Sequence, residues 1–304
     1  MANSDLHGVY GTPPPDLADI PAGAIQFSPL IPGAERLAER QGALASLTML
    51  APPGTIDRRH DLALALRALR VGGELVVLAP KDKGGARLAG ELAGFGLAVA
   101  ELSKRHHRIC RAVRPEALDG IDEAVAAGAP RLIEDLGLWS QPGVFAFDRV
   151  DPGSALLLAH LRPLSGRGAD FGSGIGVLAH AVLASTEVSE LTLIDVDRRA
   201  IDCARRNVAD PRARFLWADL RKPDTAPSGL DFVVMNPPFH DGGTEDRALG
   251  QLFIERAAQS LRKGGMLHLT ANRHLPYEAP LERLFARVRL VVSEQGYKIY
   301  EAQR

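Results

Sequence analysis

Four consecutive residues in this chain have side chains and spacing suited to chemistry: Asn236, Pro237, Pro238 and Phe239. They follow an apolar run typical of a buried strand, and the two prolines fix φ and stiffen the backbone. Such a frame presents the Asn236 amide and the Pro237 carbonyl as two hydrogen-bond acceptors. Two acceptors suit an exocyclic amine, because hydrogen bonds from its N–H groups stabilise the positive charge that grows on nitrogen during alkylation. Phe239 offers a face on which a base can stack.

A second group, residues 170–176, has the spacing D-x-G-x-G-x-G after a predicted strand. Glycines at these positions let the backbone turn sharply and approach a ligand at a helix N-terminus. Since the spacing differs from the G-x-G-x-x-G of dinucleotide-binding folds, we expect Asp170 to bind the amino group of an amino-acid-like cofactor. A tight strand-to-helix turn is the alternative. We assign to this cofactor site Asp170, Gly172, Ser173, Gly174 and Gly176.

Acidic residues follow the next two predicted strands. Asp195 ends the second strand, where a carboxylate can accept hydrogen bonds from both ribose hydroxyls of a nucleoside. Asp219 follows the third strand and can meet an adenine amino group, with an ordinary loop aspartate as the alternative. Asp197 is predicted to be the N-cap of a helix over Arg198–Asn207. The cofactor-binding residues predicted here are therefore Asp195, Val196, Asp219 and Leu220.

An α/β sheet is needed to bring these groups together. From Gly168 onwards, apolar strands alternate with helical segments and end in a pair of strands, which predicts a doubly wound, mostly parallel, seven-stranded sheet with an antiparallel edge. A similar alternation begins near Ala24, and 304 residues suffice for about two domains. We predict an irregular lead-in over 1–23, a first domain over 24–120, a linker over 121–143 and a second domain over 144–304.

The composition excludes several classes of protein. The 36 basic and 37 acidic residues give a net charge of -1, so any affinity for nucleic acid must come from local patches. Cys110 and Cys203 lie far apart in sequence and lack neighbouring ligands, which argues against a disulfide framework and a zinc site. No apolar run has the ~18 residues of a membrane span, and no signal peptide is evident at the N-terminus. We expect a cytoplasmic protein without a metal.

The two halves of the chain resemble each other. Residues 69–75 match residues 261–267, each time as a helix end, a Gly-Gly turn and a strand start. Residues 49–54 similarly resemble residues 234–239, which pairs Ala51 with Asn236. This pattern predicts two tandem Rossmann-like domains, the first of which has lost its polar and aromatic site residues. Because Leu-Arg-x-Gly-Gly is a common helix-to-strand turn, coincidence is the alternative.

A basic run extends from Lys104 to Arg114 with no acidic residue between Ser103 and Arg114. On a strand, such residues are able to follow the phosphates of a nucleic acid. An edge strand whose charges resist aggregation explains the same pattern. The sequence leaves both interpretations open.

The second half resembles the class I S-adenosylmethionine-dependent methyltransferases that carry Asn-Pro-Pro-Phe. More narrowly, it is similar to the bacterial 16S rRNA guanine-N2 methyltransferases of the small-subunit methyltransferase C family. That resemblance covers about 141–302 well and 47–114 loosely. The segments that carry it are Gln141–Phe145, Asp151–Ser154, Asn236–Gly242, Ala271–Asn272, Leu275–Tyr277 and Gly296–Tyr300.

The resemblance implies two tandem methyltransferase-like domains with a degenerate first one, S-adenosylmethionine as the cofactor, and ribosomal RNA of the small subunit or its assembly intermediate as the partner. The chain departs from the family at Phe171 and Ile175 and in a shorter N-terminal domain. Transfer to adenine N6 of RNA or to a protein glutamine amide remains possible, since both need the same two acceptors. A different class, a catalytically silent RNA-binding assembly factor, also keeps this fold.

Overall fold

A computed structural model describes residues 5–238, 240–241, 244–245 and 247–304 of the chain. These residues form two compact units, Met1–Ala129 and Pro130–Arg304. Each unit is built on its own sheet, and the two sheets are described separately below.

The first unit contains six paired strands. Its elements are β1 Leu6–Tyr10, β2 Ile25–Gln26, β3 Leu44–Leu50, α1 Thr55–Ala68, β4 Leu69–Pro80, α2 Leu88–Ala93, β5 Ala100–Lys104, β6 His107–Val113 and α3 Ile121–Gly128. The strand order is β2-β1-β3-β4-β6-β5. Strands β2, β1, β3 and β4 run parallel to one another. Strand β6 pairs antiparallel with β4, and β5 pairs antiparallel with β6. An apolar core of leucines and alanines from β3, α1 and β4 holds α1 against this sheet.

The second unit contains the seven-stranded sheet that the sequence predicts. Its elements are β7 Arg131–Ile133, β8 Leu138–Ser140, α4 Pro152–His160, β9 Gly166–Phe171, α5 Val177–Leu183, β10 Val188–Asp195, α6 Arg198–Asn207, β11 Ala213–Trp217, β12 Leu230–Met235, β13 His240–Asp241, β14 Thr244–Glu245, α7 Arg247–Ser260, β15 Leu261–Asn272, α8 Glu278–Leu284, β16 Arg287–Glu294 and β17 Tyr297–Gln303. The strand order is β11-β10-β9-β12-β15-β17-β16. Only β17 and β16 are antiparallel to their neighbours, so the predicted fold class is confirmed.

Two apolar clusters cover the faces of this second sheet. One packs α7 and α8 against the sheet, with the buried side chains of Met235, Ile254 and Tyr277 among its members. The other packs α4 and α5 against the opposite face through residues such as Leu157 and Val234. Helices on both faces bury the central strands β9, β10 and β12, which explains why those strands read as largely continuous apolar runs.

The structure differs from the predicted boundaries at two places. Strand β1 lies within the lead-in over 1–23 that the sequence predicts to be irregular, and β1 is an interior strand of the first sheet. Its five residues alternate too briefly to stand out beside the prolines that follow. The predicted linker over 121–143 contains α3, β7 and β8, and the chain divides into its two units between Ala129 and Pro130.

Helices long and apolar enough to cross a membrane are absent from the part of the chain that the structure describes.

Candidate active site

The predicted site residues lie at one edge of the second sheet, where three parallel strands end. Asp170, near the end of β9, pairs with Val234 of β12 on one side and with Leu193 of β10 on the other. Asn236 directly follows β12, and Asp195 is the last residue of β10. Since parallel strands end at the same edge, the topology brings together the three groups that the sequence assigns to chemistry.

The glycine-rich loop after β9 depends on conformations that favour glycine. Gly172, Gly174 and Gly176 have φ of 73°, 54° and 89°. The amides of Gly172 and Ser173 both donate to the carbonyl oxygen of Ile194, at 2.9 and 3.0 Å, which ties the loop to the end of β10. A Cβ at Gly174 would meet no atom within 4 Å among the described residues, so the loop faces open space at this point.

Asp170 is fully buried, and neither carboxylate oxygen has a hydrogen-bond partner among the residues that the structure describes. Burial, together with the charge of Asp195, raises its pKa to about 8. The hydroxyl of Ser173, three residues further along the chain, is likewise buried without a described partner. An unpartnered buried carboxyl group is costly in a folded protein unless a ligand satisfies it. Asp170 therefore suits the positively charged amino group of a cofactor.

Asp195 is held by the backbone at the end of β10. Its Oδ2 accepts a hydrogen bond from the Gly174 amide and its Oδ1 from the Asp197 amide, both at 2.8 Å. Burial raises the pKa of Asp195 to about 6, although the backbone hydrogen bonds oppose that effect. The two backbone amides thus fix the orientation of the carboxylate, as a specific acceptor for ribose hydroxyls requires. Asp197 caps α6 by accepting from the Arg199 amide at 2.9 Å, which confirms the predicted N-cap.

The remaining predicted cofactor residues lie around the end of β11. Trp217 pairs with Asp195 in the sheet, and its indole nitrogen donates to the carbonyl oxygen of Val196 at 2.8 Å. Asp219 accepts from the backbone amide and the guanidinium of Arg221, each at 2.9 Å. Burial alone would raise the pKa of Asp219, but the hydrogen bonds from Arg221 hold it below its ordinary value. Leu220 is buried beside it.

The Asn-Pro-Pro segment lies next to the glycine-rich loop. A Cβ at Gly172 would come 3.8 Å from both the Asn236 carbonyl oxygen and Pro238 Cδ. The Asn236 side chain donates from Nδ2 to Asp151 Oδ2 at 2.8 Å and to Ser154 Oγ at 2.9 Å. Among the described residues, none donates to Asn236 Oδ1 or to the Pro237 carbonyl oxygen. Phe239, the predicted stacking residue, lies outside the described residues.

Sequence reasoning assigned no role to Asp151 and Ser154, which precede and open α4. Asp151 is the N-cap of that helix and accepts from the Ser154 amide at 3.1 Å, with Pro152 at the first helical position. The sequence signal was present, because Asp-Pro-Gly-Ser is an N-capping pattern and belongs to the family resemblance. Their contact with Asn236 joins positions more than 80 residues apart, and sequence spacing does not reveal that contact.

The basic run of the first unit forms the hairpin of β5 and β6, with β5 at the edge of its sheet. Several of its cations have protein partners. Arg108 pairs with Glu101 at 2.8 Å, Arg105 pairs with Asp16, and Lys104 donates to the carbonyl oxygen of Asp16 at 2.7 Å. These contacts favour the interpretation of the run as a charged edge strand over a surface that binds phosphates.

Comparison with known proteins agrees with this architecture. The family model described as methyltransferase small domain matches residues 135–301. The ribosomal RNA small subunit methyltransferase C of Pseudomonas paraeruginosa is 35% identical over 289 residues, which cover 92% of this chain and 86% of that protein. Its counterpart from Stutzerimonas stutzeri is 33% identical over 312 positions, with 97% and 93% covered.

A solved structure shares the fold of nearly the whole chain. The T. thermophilus 16S rRNA N2 methyltransferase, in complex with AdoMet and guanosine, matches with a TM-score of 0.79 at 24% identity. The match covers 98% of this chain and 88% of that protein, so both sheets have counterparts in a known methyltransferase.

Proposed function

The chain belongs to the ribosomal RNA small subunit methyltransferase C family, and we propose that it transfers a methyl group from S-adenosylmethionine to the exocyclic N2 amine of a guanine in 16S rRNA. The names of its relatives support the choice of small-subunit ribosomal RNA as the substrate. The T. thermophilus protein of the same fold supports the choice of the N2 atom.

One observation carries this proposal. Two hydrogen-bond acceptors, Asn236 Oδ1 and the Pro237 carbonyl oxygen, have no donor among the described residues and lie on a rigid turn beside a glycine-rich loop. An exocyclic amine of a base has two N–H donors and a lone pair delocalised into the ring. Donating both hydrogens to these acceptors favours a pyramidal nitrogen and stabilises the charge that develops there. The same turn holds the amine next to the loop, which supplies proximity to the methyl donor.

The residues present fit S-adenosylmethionine. The buried carboxyl of Asp170, which has no partner among the described residues, matches the amino group of the cofactor, and Asp195 matches its ribose hydroxyls. The positive-φ glycines let the backbone approach it closely. When bound, S-adenosylmethionine supplies a methyl group whose bond to sulfur breaks as the amine nitrogen bonds to carbon, with the electron pair staying on sulfur. Asn236 and Pro237 hold the amine until the extra proton leaves to water.

The target guanine has to leave its stack to reach Asn236, because the amine and the turn must be within hydrogen-bond distance. A flipped or single-stranded nucleotide meets that requirement at low cost. We therefore expect an accessible loop, or RNA opened in an assembly intermediate of the small subunit, to be a better substrate than a closed helix.

Transfer of a tritiated methyl group to naked rRNA, to 30S subunits and to total protein tests the proposal. The expected result is label in 16S rRNA that nucleoside analysis identifies as N2-methylguanosine. Asn236→Ala should abolish transfer while cofactor affinity, measured by calorimetry, stays within a few fold. Label in N6-methyladenosine or in protein glutamine would show that the substrate amine belongs to adenine or to glutamine and not to guanine. Absence of cofactor binding at millimolar concentration would indicate a silent RNA-binding factor.

A further inference from the structure

The side-chain amide of Asn236 needs neighbouring groups to fix which of its two ends faces the substrate. A side-chain amide has an acceptor end and a donor end of nearly equal size, and rotation by 180° about its last bond exchanges them. Only the acceptor end is useful to an amine that must donate both of its hydrogens. A flipped Asn236 would present an NH2 group to the substrate amine, and the two sets of donors would repel each other.

The structure assigns a positioning role to Asp151 and Ser154, which lock the Asn236 amide with Oδ1 towards the substrate amine. This inference rests on the function proposed above. An ionised carboxylate only accepts hydrogen bonds, so the end of Asn236 that lies 2.8 Å from Asp151 Oδ2 must be the NH2 group. Ser154 Oγ accepts the second hydrogen of the same NH2 group at 2.9 Å. With both donors used, Oδ1 has to face away from α4.

The two partners are themselves fixed. Asp151 Oδ2 also accepts from the Ser154 backbone amide at 3.1 Å, which ties the carboxylate to the first turn of α4. Ser154 is buried, and Gly153 allows a close approach, since a Cβ there would lie 2.7 Å from the Tyr297 ring. The first turn of α4 is thus held between β17 and the Asn-Pro-Pro turn, and it presents two oxygens at the distance that Asn236 requires.

The carboxylate also affects the strength of the acceptor. When the NH2 group of an amide donates to a negative charge, electron density shifts towards the amide oxygen, because hydrogen bonds in a chain polarise one another. Asn236 Oδ1 then becomes a stronger acceptor at the moment when positive charge grows on the substrate nitrogen. A group that acts in this way should contribute to turnover more than to substrate binding.

Asp151→Asn tests this role without removing the helix cap, because asparagine and aspartate are comparable N-caps. A neutral amide oxygen then accepts from both Ser154 and Asn236, so the bond to Asn236 stays but loses its charge assistance, and kcat should fall about five- to tenfold. The KM for RNA, the cofactor dissociation constant and the melting temperature should stay close to wild type. Ser154→Ala should lower kcat in the same direction by about two- to fivefold, since a neutral hydrogen bond is lost.

Asp210→Asn is the control, because Asp210 lies in the loop between α6 and β11 and its carboxylate likewise accepts a nearby backbone amide, that of Arg212, whose guanidinium it also binds. It should leave kcat unchanged. If Asp151→Asn and Ser154→Ala turn over like wild type while Asn236→Ala is inactive, the positioning role is wrong and the proposed function stands. If Asn236→Ala itself turns over normally, both fail. A fall in cofactor affinity or melting temperature that matches the fall in kcat would show that Asp151 is only structural.

Discussion

The six-stranded sheet of the first unit recurs within the seven-stranded sheet of the second unit, but the residues at the strand ends differ. Removing the edge strand β11 from the order β11-β10-β9-β12-β15-β17-β16 leaves six strands that correspond one to one, in sequence order and direction, to β2-β1-β3-β4-β6-β5. The ladder between β3 and β4 shifts register between Leu44 and Ser46, and the ladder between β12 and β15 shifts between Leu230 and Phe232. A shared irregularity of this kind favours duplication over coincidence.

The ladders also show which residues correspond. Val9 of β1 occupies the position of Asp170, and Ser28, after β2, that of Asp195. Gly11 keeps the positive φ of Gly172, at 77° against 73°, but prolines follow where the second unit continues with glycines. The register further aligns Leu50, and not Ala51, with Asn236. The pairing of Ala51 with Asn236 predicted from the sequence is therefore wrong by one residue, because the prolines align only if a residue is skipped.

A buried arginine lies against the proline turn of the first unit. Arg58, fully buried on α1, donates to the carbonyl oxygens of Pro52, Pro53 and Gly54 at 3.3, 2.7 and 3.2 Å. Its guanidinium also binds both oxygens of Glu91 at 2.7 Å. The proline-turn carbonyls of the first unit thus already have a donor, whereas the Pro237 carbonyl has none among the described residues.

The corresponding position in the second unit is a glycine. Helices α1 and α7 both have 14 residues and lead directly into Leu-Arg-x-Gly-Gly, so Arg58 aligns with Gly250. A Cβ at Gly250 would lie 1.6 Å from the Tyr277 hydroxyl, while a Cβ at Gly84 would lie 2.2 Å from Arg58 Nη1. In the first unit the large side chain is Arg58 of helix α1. In the second unit it is Tyr277, from the loop after β15. A side chain from a different element therefore occupies this space in each unit, and only in the second unit does the proline-turn carbonyl lack a donor among the described residues.

The largest effect should come from replacing a site residue of the second unit by its counterpart in the first unit. Asp170→Val reproduces Val9, and we expect cofactor binding to weaken at least about 100-fold, since charge-assisted hydrogen bonds of ~1.5–3 kcal/mol each are lost. Calorimetry measures this change. Binding within a few fold of wild type would show that the buried carboxyl does not hold the amino group.

Asp170→Val should weaken cofactor binding but raise the free energy of unfolding of the ligand-free protein. The pKa of Asp170, about 8 in the folded chain, exceeds the ~3.9 of an unfolded aspartate, so its contribution to stability is present at low pH and is lost as the pH rises through about 8. Without ligand, Asp170→Val should gain stability relative to wild type between pH 5 and pH 8. Denaturant titrations at several pH values measure the difference.

The second prediction concerns the filled site. Glu91→Gln leaves the Arg58 guanidinium buried without its carboxylate, which should cost the first unit about 3–5 kcal/mol of unfolding free energy. Both tryptophans, Trp139 and Trp217, belong to the second unit, so their fluorescence should report an unchanged transition while circular dichroism shows an earlier one.

The control for Glu91→Gln is Asp5→Asn, which removes the ion pair between Asp5 and Arg70. That pair has half-exposed side chains, so the variant should cost less than ~1 kcal/mol. Equal losses in the two variants would mean that the Arg58 pair contributes no more than a surface contact does. An equal shift in fluorescence would mean that the two units do not unfold independently.

Features confined to a few consecutive residues were predictable from the sequence, whereas distant contacts were not. The glycine-rich loop and the Asn-Pro-Pro turn are contiguous, and their residue types dictate backbone geometry. Strand β1 was missed because five residues carry too short a pattern. The buried role of Arg58 was missed because an arginine on a helix normally faces water, and only its contacts with Glu91 and three carbonyls make burial affordable.

The smallest effects test whether the two Gly-Gly turns are true counterparts. Gly72 and Gly264 have φ of 77° and 83°. Their backbone amides donate to the carbonyl oxygens of Arg114 and Arg304, which follow the last strand of each unit, at 2.9 and 2.7 Å. Alanine at either position strains the left-handed backbone, which should cost ~1–2 kcal/mol.

Because the two turns share geometry and hydrogen bonds, Gly72→Ala and Gly264→Ala should have similar costs, and because the sites are independent the double variant should lose their sum within ~0.5 kcal/mol. Tryptophan fluorescence reports the second unit alone, whereas circular dichroism reports both units, so a transition that only circular dichroism detects belongs to the first unit. Gly90→Ala on α2 is the control: no described atom lies within 4 Å of its Cβ position, and alanine favours a helix, so it should be neutral or stabilising. A cost in one unit more than twice that in the other would show that the turns match in sequence without sharing a structural role.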